Sequence, residues 1–186
     1  MPRLVVLASG SGTTLQAILD DPELGAQVAA AGSDVPGCPA MQRAETAGVP
    51  TFAVALRDYP DRAAWNDELA GAIAKYDPDL VVLAGFMRLL APTTVTRFRI
   101  VNTHPALLPA FPGAHAIRDA LAAGVAATGV TVHWVDEGVD TGPVIAQQSV
   151  PVEPDDDEEA LRNRVQAVEK PLYVATLKQL CQELDE

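Results

Sequence analysis

Two short apolar runs, Leu4-Val5-Val6-Leu7-Ala8 and Leu80-Val81-Val82-Leu83-Ala84, limit what this chain can fold into more than any other feature. Each is too short for a buried helix and carries no polar alternate, the pattern of a strand covered on both faces. Between them, helix and strand signals alternate. Thr13 to Leu19 carries Leu15, Ile18 and Leu19 at helical spacing, Gln27 to Ala31 and Thr51 to Ala55 read as strands, and Pro39 to Ala47 as a short helix. Asp61 to Tyr76 sets Trp65, Leu69 and Ile73 on one stripe four residues apart, as a core-facing helix does. Such alternation implies crossover connections and a parallel sheet with helices on both faces.

The second half changes character. Ile100-Val101-Asn102 is a brief strand and Ala116 to Ala123 a helix. Thr128 to Val135 and Val144 to Val152 lie on either side of Gly142-Pro143, and a hairpin there would give the sheet an antiparallel edge element. Pro154 and the acids Asp155 to Asp157 mark the start of a helix reaching about Leu180, with Pro171 as a kink point. No repeat or linker interrupts the chain. The expectation is an α/β fold: one Rossmann-like domain over residues 1–186, mostly parallel, with an antiparallel edge.

At 186 residues the chain can hold one sizeable core, and two full domains would be cramped. Its 25 acids against 13 bases give a formal charge of −12, which argues against nucleic acid as a partner. A local phosphate site stays open, because backbone N–H groups bind phosphate without net charge. Cys38 and Cys181 match neither a metal box nor a disulfide framework and suit a reducing compartment. Leu4 to Ala8 is too short for a secretory signal, and no apolar run approaches membrane-spanning length. A cytoplasmic protein without a membrane partner is the expectation.

Ser9-Gly10-Ser11-Gly12-Thr13-Thr14 joins the first strand to the first helix. Glycines let a backbone approach a ligand closely, while helix-terminal N–H groups and threonine hydroxyls can hold a phosphate. As a dinucleotide fingerprint the run has Leu15 where a third glycine or alanine belongs, although Asp34 stands near the distance of a ribose-binding acid. No Gly-Lys-Ser/Thr follows, so the P-loop fails. A plain tight turn with Thr13 as helix cap is the bland alternative. A monophosphate cradle fits best.

Further on, Asn102 and His104 lie two apart in an extended segment, which projects both to one side, and Pro105 biases His104 away from helix. An amide N–H and an imidazolium can together stabilise the oxyanion of a tetrahedral intermediate. A nearby carboxylate would favour the protonated imidazole, and Asp140 in a glycine-punctuated turn is the obvious supplier. His104 could equally be a packing residue, and Asp140 one that simply makes its turn. His115, after the Phe111-Pro112-Gly113 loop, could line the same cleft, whereas His133 in an alternating strand reads as a satisfied structural side chain. Nothing has metal-ligand spacing, so no metal is expected.

Taken in order, SGSGT, DLVVLAGFMRLL, NTHPALLPAFPG and VDEGVDTGP resemble the phosphoribosylglycinamide formyltransferase family, from Leu4 to about Tyr173. The Asn-x-His-Pro and Asp-x-Gly-Pro blocks mark the wider formyltransferase group, and the glycine loop marks this branch of it. The resemblance implies transfer of a formyl group from 10-formyltetrahydrofolate to the amine of glycinamide ribonucleotide in purine synthesis. It implies catalytic roles for Asn102, His104 and Asp140. Gly12, Thr13, Thr14 and Glu169 would bind the nucleotide, with Glu169 at the ribose. Met87, Arg88, Leu89, Leu90, Asp136, Glu137, Gly138 and Val139 would wall the folate site, together with Asn102 and Asp140, and Arg62 would make a more peripheral folate contact.

On this reading residues 1 to about 100 form the phosphate and nucleotide half, and about 101 to 186 the catalytic and folate half. Thr14 stands where many relatives carry Asn, and the chain ends earlier than many of them. The rival readings are a formyltetrahydrofolate hydrolase, expected to carry an N-terminal regulatory domain, and a methionyl-tRNA formyltransferase, expected to carry an extra C-terminal nucleic-acid-binding domain. A non-enzymatic nucleotide-binding module would leave Asn102, His104 and Asp140 unexplained. A homodimer is one option for the assembled state.

Overall fold

The structure, a computed structural model, describes residues 1–185. Seven strands form one sheet in the order β3-β2-β1-β4-β5-β6-β7. The two apolar runs become β1 (Leu4–Leu7) and β4 (Leu80–Leu83), every residue of them buried, paired in parallel at the sheet centre. Parallel pairing continues outward to β2 (Val28–Ser33) and β3 (Thr51–Ala53) on one side and to β5 (Ile100–His104) on the other. The expected hairpin is β6 (Ala127–Trp134) with β7 (Val144–Pro151), and β6 also runs antiparallel to β5. The α/β expectation and its antiparallel edge hold.

Alternation along the strands sorts the core into two faces. Leu4 and Val6 of β1 pack toward α1 (Thr13–Asp20), α2 (Pro22–Gln27), α3 (Pro39–Thr46) and α7 (Glu158–Asp185). Val5 and Leu7 pack the other way, against Trp65, Leu69 and Ile73 of α4 (Arg62–Ala74), with α5 (Pro92–Arg97) beside it. A smaller cluster joins Ile117 of α6 (Ala116–Ala123) to Leu161 and Val165 of α7. Asp61 caps α4 by accepting from Ala64 N–H at 2.8 Å, and Asp157 caps α7 by accepting from Ala160 N–H at 2.8 Å. Pro171 lies inside α7. No described helix is long and apolar enough to cross a membrane.

The order of strands reverses direction between β1 and β4, because the chain builds outward first through β2 and β3 and then through β5. Loops leaving those two central strands therefore diverge, opening a crevice at their carboxyl ends. Tyr173 of α7 closes the sheet beneath it, donating its buried hydroxyl toward the carbonyls of Leu83 (3.0 Å) and Val101 (3.1 Å).

Candidate active site

The glycine loop fills one side of the crevice. Gly12 takes φ +72°, and a Cβ there would stand 2.5 Å from Ala40 Cα, so both backbone shape and the approach of α3 require glycine. From α3, Ala40 N–H donates to Gly10 O at 3.1 Å and Arg43 Nε donates to Ser11 O at 2.8 Å. Gly12, not Thr13, is the N-cap of α1, and no side chain caps that helix. Its first N–H groups thus face the crevice without an acid or hydroxyl of the chain on them, the arrangement an anion completes.

Asp34 has a different fate from the one a dinucleotide site would give it. It is buried, accepts from Ser9 Oγ at 2.5 Å, and pairs with Arg88 Nε at 2.7 Å. Buried, tied to the two loops and outside the cavity lining, it does not face a ligand, and the dinucleotide reading loses its ribose-binding acid. The same Ser9 hydroxyl accepts from Met87 N–H at 2.9 Å, so one buried carboxylate ties the β1 loop to the β4 loop.

A cavity of about 310 Å³ opens between those loops, lined by Ser9 to Thr14 with Ala84, Gly85 and Met87. β5 adds Thr103 and the following Pro105, and α7 adds Arg162, Val165, Gln166 and Glu169. Those four helix positions follow the i, i+3, i+4, i+7 spacing of one face, a signal present in the sequence but visible only once the opposing wall is known. Burial pushes the Glu169 carboxyl above the usual range, opposed by Lys170 and by the neighbouring Thr103 hydroxyl.

Asn102, His104 and Asp140 lie beside this cavity. His104 Nδ1 stands 3.3 Å from Asp140 Oδ2, and its Nε2 2.7 Å from the Phe111 carbonyl. Both neighbours are acceptors, the pattern an imidazolium satisfies. Asp140 adopts φ +54° in its turn and accepts from Gly113 N–H at 2.8 Å. The neighbouring His133 imidazole holds its carboxyl below the ordinary range against the cost of burial, helped by the Gly113 N–H and by the charges of His104 and His133.

His133 is buried and hydrogen-bonded, as an alternating strand suggests, with Nδ1 2.9 Å from the Trp134 carbonyl. Cross-strand register adds what the sequence does not show. Asn102 and His133 are direct partners across the β5–β6 pair, which leaves Asn102 Nδ2 3.4 Å and Asp140 Oδ1 3.6 Å from His133 Nε2. Two imidazoles therefore share one carboxylate. His115 stands apart, exposed at the N-cap of α6 and outside the cavity lining.

The other expected wall residues lie at the start of α4, on the segment after β4 and on the turn before β7. Met87, Leu89 and Val139 are exposed apolar side chains, while Leu90 packs partly into the core. Arg62 Nη2 donates to Leu89 O at 2.7 Å, pinning the 87–90 segment to α4. Asp136 spends its carboxylate within its own turn, accepting from Gly138 N–H at 3.0 Å and Thr141 Oγ1 at 2.6 Å, and Glu137 and Gly138 complete that turn. The Thr141 hydroxyl holds the Asp136 carboxyl below the usual range, with burial opposing it and the Gly138 N–H adding to it.

The formyl transferase family model matches residues 2–177. The chain is 53% identical over 182 residues to a phosphoribosylglycinamide formyltransferase of Mycobacterium tuberculosis, covering 96% of this chain and 84% of that protein. Among solved structures, glycinamide ribonucleotide transformylase 1 from Symbiobacterium toebii superposes with a TM-score of 0.94 at 45% identity, covering 98% of this chain and 89% of that one. Its counterpart from Geobacillus kaustophilus gives 0.91 at 48% identity, covering 97% and 98%. The chain belongs to the formyl transferase family, among its phosphoribosylglycinamide formyltransferases.

Proposed function

We infer that this chain is the enzyme that transfers a formyl group from 10-formyltetrahydrofolate to the amine of glycinamide ribonucleotide, in purine biosynthesis. The observation that carries the site assignment is the pairing of His104 with Asp140 at 3.3 Å, while Thr103 and Pro105 on either side of His104 line the cavity of the glycine loop. A group held in that cavity has its reactive end beside the imidazole.

In this reading the uncapped N-terminus of α1 and the hydroxyls of Thr13 and Thr14 receive the substrate phosphate. Backbone N–H groups carry that contact, so Thr14 serves where an Asn side chain would add an amide. Glu169 holds the ribose. The apolar lip of Met87, Leu89, Leu90 and Val139 receives the flat rings of the folate, with Arg62, Arg88, Asp136, Glu137 and Gly138 shaping the wall. Residues 1 to about 100 thus supply the phosphate turn, and residues 101 to 186 the reacting groups.

The chemistry follows from these positions. The substrate amine attacks the formyl carbon, and the carbonyl oxygen becomes an oxyanion. Asn102 and the His104 imidazolium, which exchanges the Phe111 carbonyl for it, stabilise that charge. As the bond to folate nitrogen breaks, His104 gives that nitrogen a proton, and Asp140 takes up the proton lost by the amine. A cytoplasmic site of action accords with the two free cysteines, both buried.

Tetrahydrofolate release from 10-formyltetrahydrofolate tests the reading. Release that depends on glycinamide ribonucleotide is the expected result. Release at the same rate without the amine would identify a hydrolase and overturn it.

A further inference from the structure

Four buried side-chain atoms have no hydrogen-bond partner among the described residues: Gln27 Oε1 and the hydroxyls of Thr94, Thr103 and Thr128. Of the four, Thr103 alone lines the cavity of the glycine loop. Its residue is only 9% exposed, so water gives the hydroxyl little compensation. Buried polar groups almost always find a partner, and an orphan in a native fold calls for an explanation.

The position makes the explanation specific. Thr103 sits between Asn102 and His104 on β5, where alternation turns it away from the Asn102–His133 pair and toward α7. On that side the cavity wall is Gln166 and Glu169. The hydroxyl comes near enough to oppose the rise in the Glu169 pKa, yet makes no hydrogen bond of ordinary geometry. Valine or isoleucine would suit a buried strand as well as threonine and would leave no orphan. A hydroxyl and a carboxylate side by side, both turned to a cavity, match the paired donors and acceptors of a sugar diol.

We propose that Thr103 is a substrate-contacting residue whose hydroxyl, acting with Glu169, binds a hydroxyl of the substrate's ribose. The proposal rests on the nucleotide reading of this cavity and deepens it. It makes the β5 strand serve both ends of the reaction: Asn102 and His104 at the formyl carbon, Thr103 at the sugar. It also separates two contributions to nucleotide binding, with the phosphate held by the glycine loop and the ribose by β5 and α7.

Calorimetric titration with ribose 5-phosphate and, separately, inorganic phosphate tests this without turnover. Wild-type protein binds ribose 5-phosphate more tightly than phosphate. In Thr103→Val, which keeps the shape and removes only the hydroxyl, ribose 5-phosphate binding weakens about three- to ten-fold while phosphate binding stays the same. Tm is unchanged or higher, since an unpaired buried hydroxyl is gone, and Thr103→Ser restores the sugar affinity. Equal ribose 5-phosphate affinity in wild type and Thr103→Val overturns the proposal and leaves the nucleotide reading standing. A lower Tm with both probes weakened equally overturns it in favour of a packing role. Wild-type protein that binds neither probe overturns the nucleotide reading and the proposal together.

Discussion

Asp140 receives a histidine on each oxygen and a backbone N–H besides, and that crowding decides its charge state. The fold favours its ionised form, so its folded pKa lies below the ordinary 3.8. A depressed carboxylate contributes stability that is complete above the unfolded value and is lost as pH falls through the folded one. Unfolding free energy should therefore fall more steeply below about pH 4 in the wild type than in Asp140→Asn. Denaturant titrations at a series of acid pH values measure this, and equal slopes would show that the histidines do not hold Asp140 ionised. At neutral pH Asp140→Asn also loses the acceptor for the amine's proton, and its kcat should drop by about 10²–10⁴-fold. The pairing of Asp140 with His104 is the part of the site that sequence cannot show. Asn102 and His104 are legible from strand alternation, but Asp140 arrives through a left-handed turn 36 residues further on, and His133 through strand register.

Elements differ in how plainly they announce themselves. The strands β1 and β4 and the helices α4 and α6 fall within two residues of the sequence reading, because hydrophobic periodicity and caps act locally. The helices α2 and α5 escape it: each has six residues, starts at a proline, and is too short to display a period. β5 runs two residues past Asn102 because its pairing with β6 carries Thr103 and His104 along. The β1–α1 turn is legible as glycine-rich, yet its precision comes from α3 pressing on Gly12. Gly12→Ala would force φ +72° on a Cβ that has Ala40 in its way. It should lower unfolding free energy by about 1–3 kcal/mol and weaken inorganic phosphate binding, with folate binding retained. Unchanged stability and phosphate affinity would show that the turn tolerates other shapes.

At the scale of the whole molecule, one topological fact organises the function. Because strand order reverses between β1 and β4, their loops part and leave a crevice, and the proposed function puts the phosphate turn and the folate wall along it. Asp34 binds these loops together through Ser9 and Arg88, so the two sides of the crevice share one buried anchor. The net charge of −12 gives no general attraction for an anionic substrate, which places recognition on oriented N–H groups rather than on overall charge. β5 then carries Asn102 and His104 along the crevice edge, where β6 and the Asp140 turn close over them. In the proposed reaction formyl passes directly to the substrate amine across this edge, with His104 as the proton-bearing group. A single-turnover experiment with 13C-formyl-labelled donor and glycinamide ribonucleotide tests it most directly. Label should appear in the ribonucleotide amide with wild-type protein, at a rate about 10²–10⁴-fold lower for His104→Ala. Label appearing as formate, or wild-type transfer rates in His104→Ala, would contradict it.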